Sequence, residues 1–148
     1  MKILWQAVLL ILISTSAYAE NDVIKNEIFD NISHEFVECA SYFSIVSQAM
    51  RNVSDQTVAE KYKQASDTAI KYAVIAAEES RATEMAQKVT LARFELGLKS
   101  MLKEIDNEVS NISILSNKYA FRCKGAMENP DAMMKEWGNK IIDKHDKS

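Results

Sequence analysis

The densest group of reactive side chains in the sequence is the run His34-Glu35-Phe36-Val37-Glu38-Cys39. Its first five residues depart from the zinc-protease pattern H-E-x-x-H only in carrying Glu38 in place of the second histidine. At helical spacing His34 and Glu38 fall one turn apart on one face, where they could share a metal ion or simply pair with each other. A zinc site draws three or four ligands, and the one other histidine, His145, lies near the end of the chain. His34 and Glu38 therefore read as a solvated surface pair, with no metal expected. Cys39 reads differently, as half of a cross-link.

The rest of the chain offers little else to chemistry. A nucleophile needs a base within hydrogen-bond reach and a group that orients that base, and two histidines allow few such sets. G-x-S-x-G, a phosphate-cradling glycine loop and C-x-x-C are all absent. So is the di-iron pattern E-x-x-H, because Asn31 and Ile142 stand three residues before the histidines. A methionine–histidine pair could hold haem without any motif, but the seven methionines suit the filling of helical cores better. The expectation is a protein that is not an enzyme and carries no cofactor.

The elements that position these residues begin with a leader. Lys2 is followed by an apolar run, Ile3 to Ile13, and then by Ala17-Tyr18-Ala19. This is the pattern of a secretory signal peptide cleaved before Glu20, and the run is too short for a membrane span. The mature chain would then hold 148 − 19 = 129 residues, with 17 basic and 21 acidic side chains and a net charge of −4. That length suits a single domain, residues 20–148. A mildly acidic, mixed surface excludes a nucleic-acid binder, which needs clustered Lys and Arg. It also excludes electrostatic docking on anionic lipid. Three Asn-x-Ser triplets, at Asn31, Asn52 and Asn111, fit the glycosylation acceptor, but the leader has a bacterial form in which such triplets arise by chance.

Three glycines and one proline leave too few turn residues for a β-rich fold and favour long helices. Ile28, Ile32, Phe36, Cys39, Phe43, Val46 and Met50 recur in steps of three and four, marking one face of a first helix over 22–50. His34 and Glu35 lie off that stripe and Glu38 sits at its edge. Ser54 or Asp55 can cap a second helix, 55–79, whose stripe is Val58, Tyr62, Ala65, Ala69, Tyr72 and Ala76. A further apolar series runs from Leu91 through Phe94, Leu98, Leu102 and Ile105 to Tyr119 and Cys123, with Gly125 as a stop. Asn129 and Pro130 open a last helix, 130–144, as cap and first residue.

The two cysteines, 84 positions apart, are expected to pair in an oxidising compartment. That pairing locates turns no proline announces. At a rise of about 1.5 Å per residue, Cys39 lies about 27 Å along a first helix begun at residue 21. Turns near 80 and 108 return Cys123 to about 22 Å. Without the later turn it lies about 35–40 Å too high, and without the earlier one about 40 Å too low. A disulfide spans at most about 7 Å between Cα atoms. Both turns are therefore required, and they divide the middle of the chain into helices over 83–106 and 110–124. The expected fold is all-α: an up-down four-helix bundle with an additional short C-terminal helix, stapled by Cys39–Cys123.

The C-terminal helix carries Met133, Trp137 and Ile141 on one side, with Met134 and Ile142 beside them. These five are the candidate partner-binding residues, since tryptophan is enriched at interface hot spots; docking on its own bundle is the competing use of the same stripe. The function that fits is an exported interaction protein, an inhibitor, immunity-type or accessory factor that binds a protein partner in the periplasm or outside the cell. The alternatives are a small periplasmic chaperone and a metal- or haem-binding bundle.

Overall fold

The structure, a computed structural model, describes the backbone of residues 2–147 and the side chains of residues 21–147. The leader side chains expected over 1–19, and their cleavage, lie outside the described residues. Five helices follow one another: α1 (Lys2–Asn52), α2 (Gln56–Glu78), α3 (Thr83–Glu104), α4 (Ile112–Glu128) and α5 (Pro130–His145), with a 3-10 turn at Val109–Asn111 before α4. No strand occurs among the described residues.

The turns follow from local chemistry. Asp55 Oδ1 accepts a hydrogen bond from Val58 N at 3.0 Å and so caps α2. The α3–α4 break falls on Asp106 and Asn107, which sit at φ 55° and 59°. Left-handed backbone is uncommon outside glycine, and Asp and Asn tolerate it best. Asp106 N donates to Lys103 O at 3.2 Å and Asn107 N to Leu102 O at 2.8 Å, a Schellman closure that satisfies the last carbonyls of α3. Asn129 caps α5 by accepting from Ala132 N at 3.1 Å, with Pro130 at the first position. One expectation fails here. α4 does not stop near Gly125 but runs through it to Glu128, and no glycine has positive φ. The stop comes from Pro130, whose ring pushes the preceding residue out of the helical region.

The order of contacts gives the directions. Ser47 Oγ donates to Ala59 O and Ser66 Oγ to Ala40 O, both at 2.8 Å, so α2 runs antiparallel to α1. Asp30 pairs with Arg81 and Arg93, while Ser41, further along α1, meets Phe94; α3 is parallel to α1. Tyr42 bonds Ser116 and Cys39 bonds Cys123, so α4 is antiparallel. Glu27 meets Lys144 and His145, whereas Glu35 lines a groove with Glu136 and Trp137. α5 therefore continues in the sense of α4, and Asn129 marks a bend between two helices, not a hairpin.

The first helix is the hub, packed against every other helix. Between Ile32 and Ala49 only His34, Glu38, Ser44 and Gln48 escape full burial. The apolar stripe foresaw one buried face; the structure buries nearly the whole circumference, which is what an enclosed helix does. The additional burial takes in Glu35, Val37, Tyr42 and Ile45 and a set of small side chains, Ser33, Ala40, Ser41, Ser47 and Ala49. Partner helices show the same shift. The buried line of α2 is Ala59, Ser66, Ala69, Ala73, Ala76 and Ala77, with Tyr72 exposed. That of α3 is Ala86, Thr90 and Met101, with Leu91 exposed. Helices that approach closely can bury only small residues against one another, so larger apolar neighbours are displaced outward.

Candidate functional site

The run 34–39 is dispersed by α1 into separate environments. Cys39 and Cys123 are fully buried and bonded, their Cα atoms 5.2 Å apart. Residue 122 is thereby carried onto α1 beside Glu35, one turn before the staple, and Glu38, next to it. Arg122 Nε lies 2.8 Å from Glu35 Oε1, and its Nη2 lies 2.6 Å from Glu38 Oε2. The expected His34–Glu38 surface pair is thus replaced: Glu38 turns to Arg122, and His34 is exposed. Among the described residues no group of three or more His, Cys, Asp or Glu is placed to hold a metal ion.

Glu35 is the larger departure. It was placed off the buried stripe, yet only 7% of it is exposed, because α4 and α5 both close over that side of α1. Burial pushes its carboxyl above the ordinary carboxylate value, Arg122 opposes this, and Glu38 adds to it. A carboxylate with one ion-pair partner has lost water that a single guanidinium does not fully replace.

Glu35 floors a groove of about 490 Å3 in the bend between α4 and α5. α4 contributes Phe121, Arg122, Gly125 and Ala126; α5 contributes Met133, Glu136, Trp137 and Lys140. Lys140 Nζ stands 4.3 Å from the centre of the Trp137 ring, a cation–π contact. Phe121 is 93% exposed at this groove.

The five residues of α5 singled out from the sequence divide. Met133 and Trp137 pack on the core and Ile141 is buried, whereas Met134 and Ile142 are exposed. The end of α5 is anchored as well, with Lys144 Nζ at 2.6 Å and His145 Nε2 at 2.9 Å from Glu27. The stripe docks on the bundle, and the side of Trp137 toward α4 is left to line the groove. Phe121 was missed in the sequence because an isolated aromatic between a tyrosine and a cysteine of the buried face carries no periodic signal. Arg122 and Glu35 carried none either, since their proximity depends on the staple.

Comparison with protein-family models, with curated proteins and with solved structures gives no match. No helix among the described residues is long and apolar enough to cross a membrane. The fold and the groove define the class: an all-α, disulfide-stapled bundle with an aromatic groove at one bend.

Proposed function

We propose that this is an exported, non-enzymatic interaction protein that binds a protein partner through the α4–α5 groove. The observation that carries the reading is Phe121, an almost fully exposed aromatic ring beside a concave surface floored by a carboxylate. Aromatic anchors next to pockets are the residues that dominate interface energetics. Export is supported by the leader pattern of residues 1–19 and by the Cys39–Cys123 bond, which suits an oxidising compartment.

Affinity capture with the tagged protein from its own envelope fraction tests this. Phe121→Ala removes a ring that packs on little, so the variant should melt as the wild type does and lose the captured partner. Undiminished capture by Phe121→Ala overturns the reading. The chaperone alternative has its own support in Met85, Leu91 and Leu96, which leave large apolar side chains exposed on α3. It calls for suppression of aggregation of an unfolded client, insensitive to Phe121→Ala.

A further inference from the structure

The groove is lined by two carboxylates, Glu35 and Glu136, and two cations, Arg122 and Lys140, while a third carboxylate outside the lining, Glu38, also pairs with Arg122. Arg122 is shared between Glu35 and Glu38, and Lys140 sits over the Trp137 ring. Glu136 has no ion pair among the described residues. The apolar walls are Phe121, Ala126, Met133 and Trp137, which suit an aliphatic stem ending in a charge, and both aromatic rings can receive a cation on their faces.

Resting on the interaction reading above, we propose that the groove receives a basic side chain, arginine or lysine, of the partner protein, which lies against Phe121 and Trp137 and pairs with Glu35 and Glu136. Charge complementarity commits the site to this occupant. Because Glu38 draws on Arg122 from outside the groove, an incoming cation balances the carboxylates around that guanidinium and supplies Glu35 with a second partner. In the free protein Lys140 is the internal stand-in, a tethered cation on the same aromatic face that the partner's side chain displaces. Glu35, Glu38, Glu136, Arg122, Lys140 and the neighbouring His34 are the charged and titratable groups around the site.

The chain has two tryptophans, Trp5 and Trp137, so Trp5→Phe in the full chain makes Trp137 fluorescence a report on the groove alone. The probes are two blocked tripeptides, Ala-Arg-Ala and Ala-Glu-Ala, titrated into that variant up to millimolar concentrations. Ala-Arg-Ala should shift the emission saturably and bind about tenfold or more tighter than Ala-Glu-Ala, the scale of one charge-assisted hydrogen bond. Glu136→Gln, an exposed substitution that leaves the fold intact, should weaken the arginine peptide severalfold, and Lys140→Gln should strengthen it. Equal binding of the two peptides, no saturation by either, or indifference to Glu136→Gln overturns the inference. Partner capture separates this from the broader reading. Capture that depends on Phe121 without arginine selectivity defeats only the cation site; arginine selectivity without any captured partner defeats the interaction reading.

Discussion

The two flanks of α1 are held by different means. Toward α2 the seam is mostly of small residues, Ala59, Ser66, Ala69, Ala73, Ala76 and Ala77 against Ala40 and Ser47, with the ring pairs Phe36–Tyr72 and Phe43–Tyr62 also crossing it. The backbones come close enough for serine hydroxyls on each helix to reach carbonyls on the other. Toward α4 and α5 the side chains are larger, the charges more numerous, and a groove remains open. That flank relies on one covalent bond, on the Arg122 bridge to Glu35 and Glu38, and on the Glu27 contacts at the end of α5. A seam of small residues brings two helix backbones together along its length, although a concavity of about 500 Å3 opens beside it, lined by Ser47 and Ser66 together with Arg51, Lys63 and Phe94. A flank pinned at a few points can keep a concavity, and the pins decide whether it holds together.

The sharpest way to break the second flank is to remove its staple. Cys39→Ser and Cys123→Ser should each cost about 2–5 kcal/mol of unfolding free energy, and the two should agree because either removes the same bond. Denaturant unfolding measures this, and non-reducing electrophoresis should show an oxidised wild-type monomer that migrates faster than the reduced one. A reducible dimer in its place defeats the intrachain bond.

The first flank should fail by crowding. Ala69 and Ala73 are fully buried on α2, so Ala69→Leu or Ala73→Leu should destabilise by about 1–3 kcal/mol through overpacking. A neutral result in thermal melts would mean that the seam has slack. At the α1–α3 crossing a Cβ on Gly97 would lie 2.5 Å from Ser41 Oγ. Gly97→Ala should therefore be destabilising despite the better helix propensity of alanine, which favours it by about 1 kcal/mol. Ser41→Ala should recover part of the loss.

Two carboxylates of α1, Glu35 facing α4 and α5 and Asp30 facing α3, have opposite pH signatures. Glu35 holds its proton more tightly folded than unfolded, since burial raises its value above 4.5. Its contribution to stability therefore improves as pH falls from its raised value toward 4.5. The stability of the wild type relative to Glu35→Gln should rise as pH is lowered toward 4.5; a fall on that approach contradicts the burial of Glu35 as the dominant effect. Asp30 moves the other way. Arg93 and Arg81 hold it below its ordinary value of 3.8 against the opposing effect of its own burial. Its stabilisation is present at neutral pH and lost as pH falls through that lowered value. Because Asp30 is partly solvated, Asp30→Asn should cost only about 1 kcal/mol at pH 7.

The smallest effect belongs to His34. It is exposed, and His34→Ala should change stability by less than about 0.5 kcal/mol. Stoichiometric zinc or iron in the native protein, lost in that variant, would restore the metal reading of the His34–Glu38 spacing.

Much of the architecture was legible because its signals are local. The stripe Ile32, Phe36, Cys39, Phe43, Val46 is set by helical repeat, and Asp55, Asn129 and Pro130 act on backbone groups within a turn of themselves. Even the break near 108, which neither proline nor glycine marks, followed from the length of helix between Cys39 and Cys123 and the reach of a disulfide. Residues chosen by hydrophobicity alone were less secure: Leu91 belongs to an apolar stripe yet faces outward, and Tyr72, though its ring meets Phe36, stays partly in solvent.

By itself, then, the sequence determined that the chain is helical, where it must turn and which two residues staple it, since each depends on neighbours along the chain or on a covalent distance. The tertiary structure alone decided that α1 is enclosed on nearly every side, that Glu35 lies beneath α4 and α5, and that Arg122 displaces His34 as the partner of Glu38. It also decided that α5 bends away from α4 without reversing, which opens the groove. The separation and angle of helix axes control these outcomes. Whether a serine, alanine or glutamate is buried depends on how closely another helix passes over it, and periodicity along one helix carries no measure of that distance.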